Sequence, residues 1–270
     1  PSLTRPFMNS YLNIDGTPYS EKHADGTYKT FLEETTGRDL RLNQTIRAYD
    51  YVRTNANGAS VRTTQNFGYS VTGYHITKFT IPSEAYDVYG ANNNDIPVMR
   101  YAEALLNYAE AKAELASLGL ATLEQADLDM SVNKIRQRAK MPILDMAVAN
   151  ADVDPFLASC YPKVEDGANK GVILEIRRER TIELVNEGFR QWDMLRWKEG
   201  EQMVNSAVVD GETVSKPYYG IYFPAEGLYD MDGDGKNDLE IYSTVQQSKP
   251  ADGLTVKKIG SDFVLSEETY

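Results

Sequence analysis

The densest concentration of chemistry in the chain is Asp230-Met231-Asp232-Gly233-Asp234-Gly235-Lys236-Asn237-Asp238, with carboxylates at relative positions 1, 3, 5 and 9 and a glycine at position 6. A short loop with that spacing wraps a hard cation in oxygen ligands, and position 7 adds the backbone carbonyl of Lys236. The bidentate glutamate of a helix-flanked calcium loop is absent from position 12, where Ile241 stands. Nor does Tyr222-Phe223-Pro224-Ala225 read as a leading helix. The expectation is an isolated Ca2+ loop held by Asp230, Asp232, Asp234, Lys236 and Asp238, stiffening the chain rather than catalysing. The competing reading is a plain acidic turn.

A second concentration is aromatic and polar. Tyr49, Tyr51, Arg53, Asn55 and Asn57 stand together, with Tyr69 and Tyr74 soon after, in a chain holding 18 Tyr against 8 Phe and 2 Trp. Aromatic faces stack on the C–H faces of sugar rings while Arg and Asn bond the hydroxyls, so this grouping fits carbohydrate recognition. Against it stands the plainer reading that these are strand residues packing on neighbouring helices. Nucleophilic and metal catalysis have no such support. His23 and His75 lie in unrelated segments, and GxSxG, HExxH, P-loop and GxGxxG patterns are missing. Glycosidase carboxylate pairs stay open, because only their separation in space is diagnostic.

These residues need elements to hold them, and the chain divides into three stretches. Residues 1–95 read as polar loops with short strands, including Leu40–Arg47 and Val71–Phe79, where apolar and polar residues alternate. This part leans on something else rather than forming a complete domain. In residues 96–200, Ala102, Leu105, Leu106, Ala109, Ala113 and Ala116 form one helical face from Pro97 onward, and Gly119 closes it. Thr122 and Gln125 suggest a capping box opening a second helix that runs to about Ala139. Helix, turn, helix is the pattern of a tetratricopeptide-type hairpin, although no second copy recurs at a fixed period. A third, highly charged helix is expected over 171–197, with a break at Gly188, and its Arg and Glu residues read as a structural ion-pair lattice. Residues 201–270 return to loops, with Tyr218, Tyr219, Tyr222, Tyr229 and Tyr242 among Pro and Gly, and a last strand is expected at Asp262–Ser266.

Composition narrows the function classes. The chain has 270 residues with 28 basic and 40 acidic side chains, a formal charge of −12 that disfavours nucleic acid and anionic membranes as partners. No apolar run approaches the roughly 18 residues of a membrane span. A single cysteine, Cys160, excludes an internal disulfide framework. No signal segment or lipid-accepting cysteine opens the chain, which fits either a cytosolic protein or a mature fragment.

Four blocks resemble the C-terminal half of the SusD/RagB proteins, surface glycan-binding lipoproteins of Bacteroidetes. They are Arg100–Ala111 (RYAEALLNYAEA), Val132–Ala139 (VNKIRQRA), Glu179–Trp197 (ERTIELVNEGFRQWDMLRW) and, less closely, Gly37–Leu42, where Leu40 replaces a proline. The third block is the longest and most specific. The resemblance implies a mainly α fold, SusD-like, with tetratricopeptide-type hairpins supporting a loop-rich part containing short strands. It implies outer-membrane tethering through a lipidated cysteine outside this chain, and a SusC-like TonB-dependent transporter as partner. It further implies glycan binding without cleavage, with aromatic loops around Tyr49 and Tyr51 in a plausible position and the Arg/Glu blocks serving structure. Such proteins are roughly twice this long, so the chain is expected to be a fragment. The alternative function is a helical-hairpin scaffold binding a peptide or protein partner.

Overall fold

A computed structural model describes residues 2–91, 93–204, 206–209, 212–215 and 219–260. Ten helices and seven short strands occur among these residues: α1 Arg5–Met8, α2 Phe31–Thr35, α3 Leu40–Thr45, β1 Val52–Thr54, β2 Ser60–Arg62, α4 Tyr101–Ser117, α5 Gln125–Asp129, α6 Val132–Arg138, α7 Met146–Ala151, α8 Pro155–Cys160, α9 Lys170–Glu183, α10 Arg190–Arg196, β3 Ser206–Val209, β4 Glu212–Ser215, β5 Gly227–Tyr229, β6 Leu239–Tyr242 and β7 Thr255–Lys258. None of these helices is long and apolar enough to cross a membrane. The fold is mainly helical, as the resemblance implies.

The helical part follows the expected periodicity with local corrections. In α4, Ala102, Leu106, Ala109 and Ala113 are buried, and Gly119 follows at φ +70°. The second expected helix is two: α5 and α6 meet at Ser131, and the capping box is built from Glu124 and Asp127, two residues beyond the Thr122 pairing. The third is also two, α9 and α10, parted at Asn186 (φ 61°) and Gly188 (φ 84°). A single helix through this point would need every residue in the right-handed region, and these two residues leave it. Gly171 lets α9 lie against α7: a Cβ there would sit 1.8 Å from the Ala149 carbonyl oxygen.

The helical core gathers α4, α6 and α9 around Leu106, Ala109, Leu128, Val132, Ile135, Val172 and Leu174. A second core joins distant parts of the chain, with Met8, Tyr11, Phe31, Leu42, Ile46 and Tyr74 packed against Ile182 and Val185 of the helical part and against Met231, Leu239 and Ile241. The residues that lead into the aspartate loop and out of it therefore share their core with the first stretch of the chain.

Between the two cores lies the lattice of charges. Glu179 of α9 is fully buried and accepts from Arg41 Nη1 at 2.9 Å and Arg136 Nε at 2.7 Å. One turn on, Glu183 accepts from Arg41, Arg100 and Arg138, and Glu187 accepts from Arg100 and from Lys78 Nζ at 2.6 Å. Arg178, with no exposed surface, pairs with Asp154 and Glu175 and donates to the Ser10 carbonyl. Within the helices, Glu175/Arg178 and Asp193/Arg196 pair at i, i+3, but most of the lattice runs between elements.

That lattice explains the clearest misreading. Leu40–Thr45 alternates like a strand but is α3, begun by Asp39, whose Oδ1 accepts from the Arg41 N–H at 3.0 Å. Helical geometry turns Leu42 into the second core and Arg41 toward Glu179, and the burial of both decides the conformation over the local pattern. Val71–Phe79 forms no strand either; it contributes isolated bridges, Ser2 with His75 and Ile46 with Ile76. The strand expected at 262–266 and Tyr218 lie outside the described residues.

Candidate functional site

The hairpin is the first component. β1 and β2 pair antiparallel, with Val52 opposite Arg62 and Thr54 opposite Ser60, around a turn closed by the Asn55 side chain. Asn55 Oδ1 accepts from the N–H groups of both Asn57 and Ala59 at 3.0 Å, so this residue builds the turn. Arg53 is buried, and its Nη2 donates to both Asp87 oxygens at 2.8 Å, which fixes it and raises its pKa. Tyr49 and Tyr51 are half-buried, each with part of its surface open to solvent. Tyr51 lies beneath the Arg47 guanidinium, 5.5 Å from its ring centre.

Tyr74 requires a correction. It has no exposed surface, packs near Phe31, and donates its hydroxyl to Glu34 at 2.8 Å. A ring enclosed on all sides offers no face to a sugar, so Tyr74 is a core residue. Tyr69 is exposed.

The aspartate loop is the second component. It connects β5 to β6, which run antiparallel, with β7 parallel on the far side of β6. The loop folds on its own N–H groups: Asp230 accepts from Gly233 and Gly235 at 2.7 and 2.8 Å, and Asp238 accepts from Met231 at 2.8 Å. Asp230, Asp232 and Asp238 bring one oxygen each within 4.8 Å of one another, whereas Asp234 stands outside this set and is 3.5 Å from Lys236 Nζ. Burial raises the Asp238 pKa, helped by the charges of Asp232 and Asp230 and opposed by the Met231 N–H. An oxygen-only donor set with mutually repelling carboxylates suits a hard divalent cation, so three of the four expected carboxylates fit calcium.

The two components face each other across a groove of about 610 Å³, lined on one side by Arg47, Arg62, Thr63 and Gln65 and on the other by Asp232, Asp234 and Asp238. Arg62 Nη1 donates to the Asp232 carbonyl at 3.2 Å. Three buried polar atoms of the lining residues, Arg47 Nε, Thr63 Oγ1 and Gln65 Oε1, have no protein partner. Buried polar groups are ordinarily satisfied, so these three stand out, but they lie beneath the wall; the groove surface itself is offered by the exposed Arg62 and Asn66 and by Asp234. Of the residues read from sequence, Asp232, Asp234 and Asp238 line this groove, while Tyr49, Tyr51, Arg53 and Asn55 do not. Arg47, Arg62, Thr63 and Gln65 were not anticipated. An Asn57-Gly58 turn between two strand-like runs was the available signal, since the register it sets places Arg62 on the paired strand.

The family model described as the SusD family matches residues 2–227. Among solved structures, a SusD-like carbohydrate-binding protein of Bacteroides fragilis is 26% identical, with a TM-score of 0.51, over 75% of this chain and 36% of that one. A second SusD-like protein of the same organism is 24% identical, with a TM-score of 0.56, over 82% of this chain and 42% of that one, and bears on the fold alone. The chain thus spans less than half the length of either. No curated protein matches it.

Proposed function

Because this chain belongs to the SusD family, we propose that it binds a glycan without cleaving it, in a protein that works at the outer-membrane surface as a lipoprotein and hands its ligand to a SusC-like TonB-dependent transporter. The observation that carries the binding site is the groove, whose open wall sets the exposed Arg62 and Asn66 opposite Asp234 and Asp238. Hydroxyl-rich rings supply donors and acceptors in the density such a wall requires, and the solvent-exposed parts of Tyr49 and Tyr51, on the segment leading into β1, would add a stacking surface.

Calcium, in this reading, is held by Asp230, Asp232 and Asp238, with the Lys236 carbonyl and Asp234 available to complete the shell. It would neutralise the acidic wall and set its position against Arg62.

The test is an affinity-gel and glycan-array comparison of wild type with two double variants, Tyr49→Ala/Tyr51→Ala and, at two exposed residues of the groove wall, Arg62→Ala/Asn66→Ala. All four side chains have solvent-exposed surface, so the fold is expected to survive. Retention by glycan should weaken at least tenfold in one or both variants. Full retention in both would move the site elsewhere, and absence of glycan binding by wild type would overturn the reading.

A further inference from the structure

A second concavity, a cleft of about 670 Å³, opens over the ion-pair lattice, with Leu40, Gln44, Phe79, Arg100, Arg138 and Lys140 in its wall. Its charges are ordered by depth. The carboxylates lie underneath, Glu179 with no exposure and Glu183 with 3% of its side chain exposed, whereas Arg138 is 56% exposed and Arg100 22%. Solvent in the cleft meets cations first, in a chain whose total charge is −12.

Two of these cations have capacity to spare. Both hydrogen bonds of Arg138 run from Nη2 to Glu183, which leaves Nε and Nη1 for another acceptor. Lys140 is exposed, and among the described residues its ammonium has no hydrogen-bonding or ionic partner. Its backbone is held at φ 58°, at the position after α6 where glycine is the favoured residue. Phe79, across the cleft, is held at φ 65°. Non-glycine residues seldom occupy this region, and here two of them face one cavity.

We propose that this cleft binds the carboxylate of an acidic sugar, with Arg138 and Lys140 taking the carboxylate, Phe79 and Leu40 lying against the C–H face of the ring, and Gln44 bonding its hydroxyls. The proposal deepens the glycan-binding reading and rests on it, adding a ligand class and a second subsite. A free anion would have no use for the apolar wall. The rest of the molecule is acidic, so the cations here act locally, on one carboxylate of the ligand.

The experiment is isothermal titration of the protein with oligogalacturonate and with its methyl ester, which keeps the rings and removes the charge. Wild type should bind the acid roughly tenfold more tightly than the ester, the effect of losing one charge-assisted contact. Arg138→Gln and Lys140→Gly should each reduce the affinity for the acid by a similar factor. Lys140→Gly should at the same time raise Tm, because glycine holds the left-handed conformation at no steric cost; a purely structural lysine would show the rise without the loss. Equal binding of acid and ester overturns the proposal, as does acid binding that both variants retain. A polyglutamate binding as tightly as the oligogalacturonate overturns the assignment to a sugar. If a neutral glycan still binds in the groove while no acid preference exists, only this inference falls. If no glycan of any kind binds, the reading beneath it falls too.

Discussion

Two glutamates, Glu34 beside the second core and Glu179 in the lattice, are both buried, and they are displaced in opposite directions. Burial alone would push both pKa values up. At Glu179 the guanidiniums of Arg41 and Arg136 overcome that effect and hold the carboxyl at about 2. At Glu34 burial prevails and the value rises to about 7, although Tyr74 donates to it and Arg38 lies close by. The difference is in how the neighbouring arginines are used. Arg38 donates to the Met8, Tyr11, Leu12 and Glu34 carbonyls and lies over the Tyr19 ring, so its hydrogen bonds go to backbone and none to a carboxylate. A buried guanidinium close to an acid is therefore not yet an ion pair; the geometry of its donors decides.

The same contrast extends to the two concavities. In the cleft the acids are deep and satisfied while cations face outward. In the groove the acids of the aspartate loop form one wall, with Asp234 exposed, opposite the exposed Arg62. One arrangement suits an anionic group and the other suits hydroxyls and a divalent cation.

The sharpest break in this comparison is Glu179→Gln. Removing one member of a buried, hydrogen-bonded charge cluster should cost about 3–5 kcal/mol, because Arg41 and Arg136 are left undercompensated. Urea denaturation at pH 7 would measure it, and a loss under 1 kcal/mol would mean that the lattice is not a structural keystone. The wild-type acid limb should agree in sign. Glu179 is lowered relative to its unfolded value, so its contribution is present above about pH 4.5 and is lost as pH falls toward 2.

Glu34 should behave in the opposite sense. Its folded value is raised, so stability is fully present below about pH 4.5 and declines as pH rises toward 7, by on the order of 2–3 kcal/mol. Glu34→Gln should flatten that slope. Parallel slopes for wild type and variant between pH 5 and 7 would show that Glu34 is not the group responsible.

For the groove acids the discriminating variable is calcium. A Ca2+ concentration a hundredfold above Kd should add about 2.7 kcal/mol, seen as a rise in Tm, and Asp232→Asn should abolish most of it. An unchanged Tm in millimolar calcium would leave the loop as an acidic turn. The smallest effect belongs to Arg62→Ala. Its side chain is largely exposed and gives one bond to the Asp232 carbonyl, so stability should move by less than about 0.5 kcal/mol. A larger loss would mean that the groove wall supports the fold as well as the ligand.

How much of this was legible follows the range of the forces involved. The face of α4, the stop at Gly119 and the break at Gly188 are set by neighbours a few residues away, and periodicity and glycine report them directly. Leu40–Thr45 went the other way because the partners of Arg41, Glu179 and Glu183, lie some 140 residues distant in the chain. Tyr74 looked like a ligand residue for the same reason: its enclosure comes from Phe31 and from residues beyond 180, which no local window contains. The clustering of the aspartate loop's carboxylates was readable because they fall within nine residues. The groove facing it was not, since its opposite wall comes from the hairpin.

The second core carries a consequence for assembly in time. Its first contributors, Met8 to Tyr74, must wait for Met231 and Ile241 before their apolar surface is covered. At synthesis rates of about 5–20 residues per second, a chain emerging from its N-terminus leaves that interval open for on the order of ten seconds or more. The helices from α4 to α10 find most of their helical partners within their own stretch and can close meanwhile. The early segment is therefore the part of this molecule that a holding chaperone would be expected to shield.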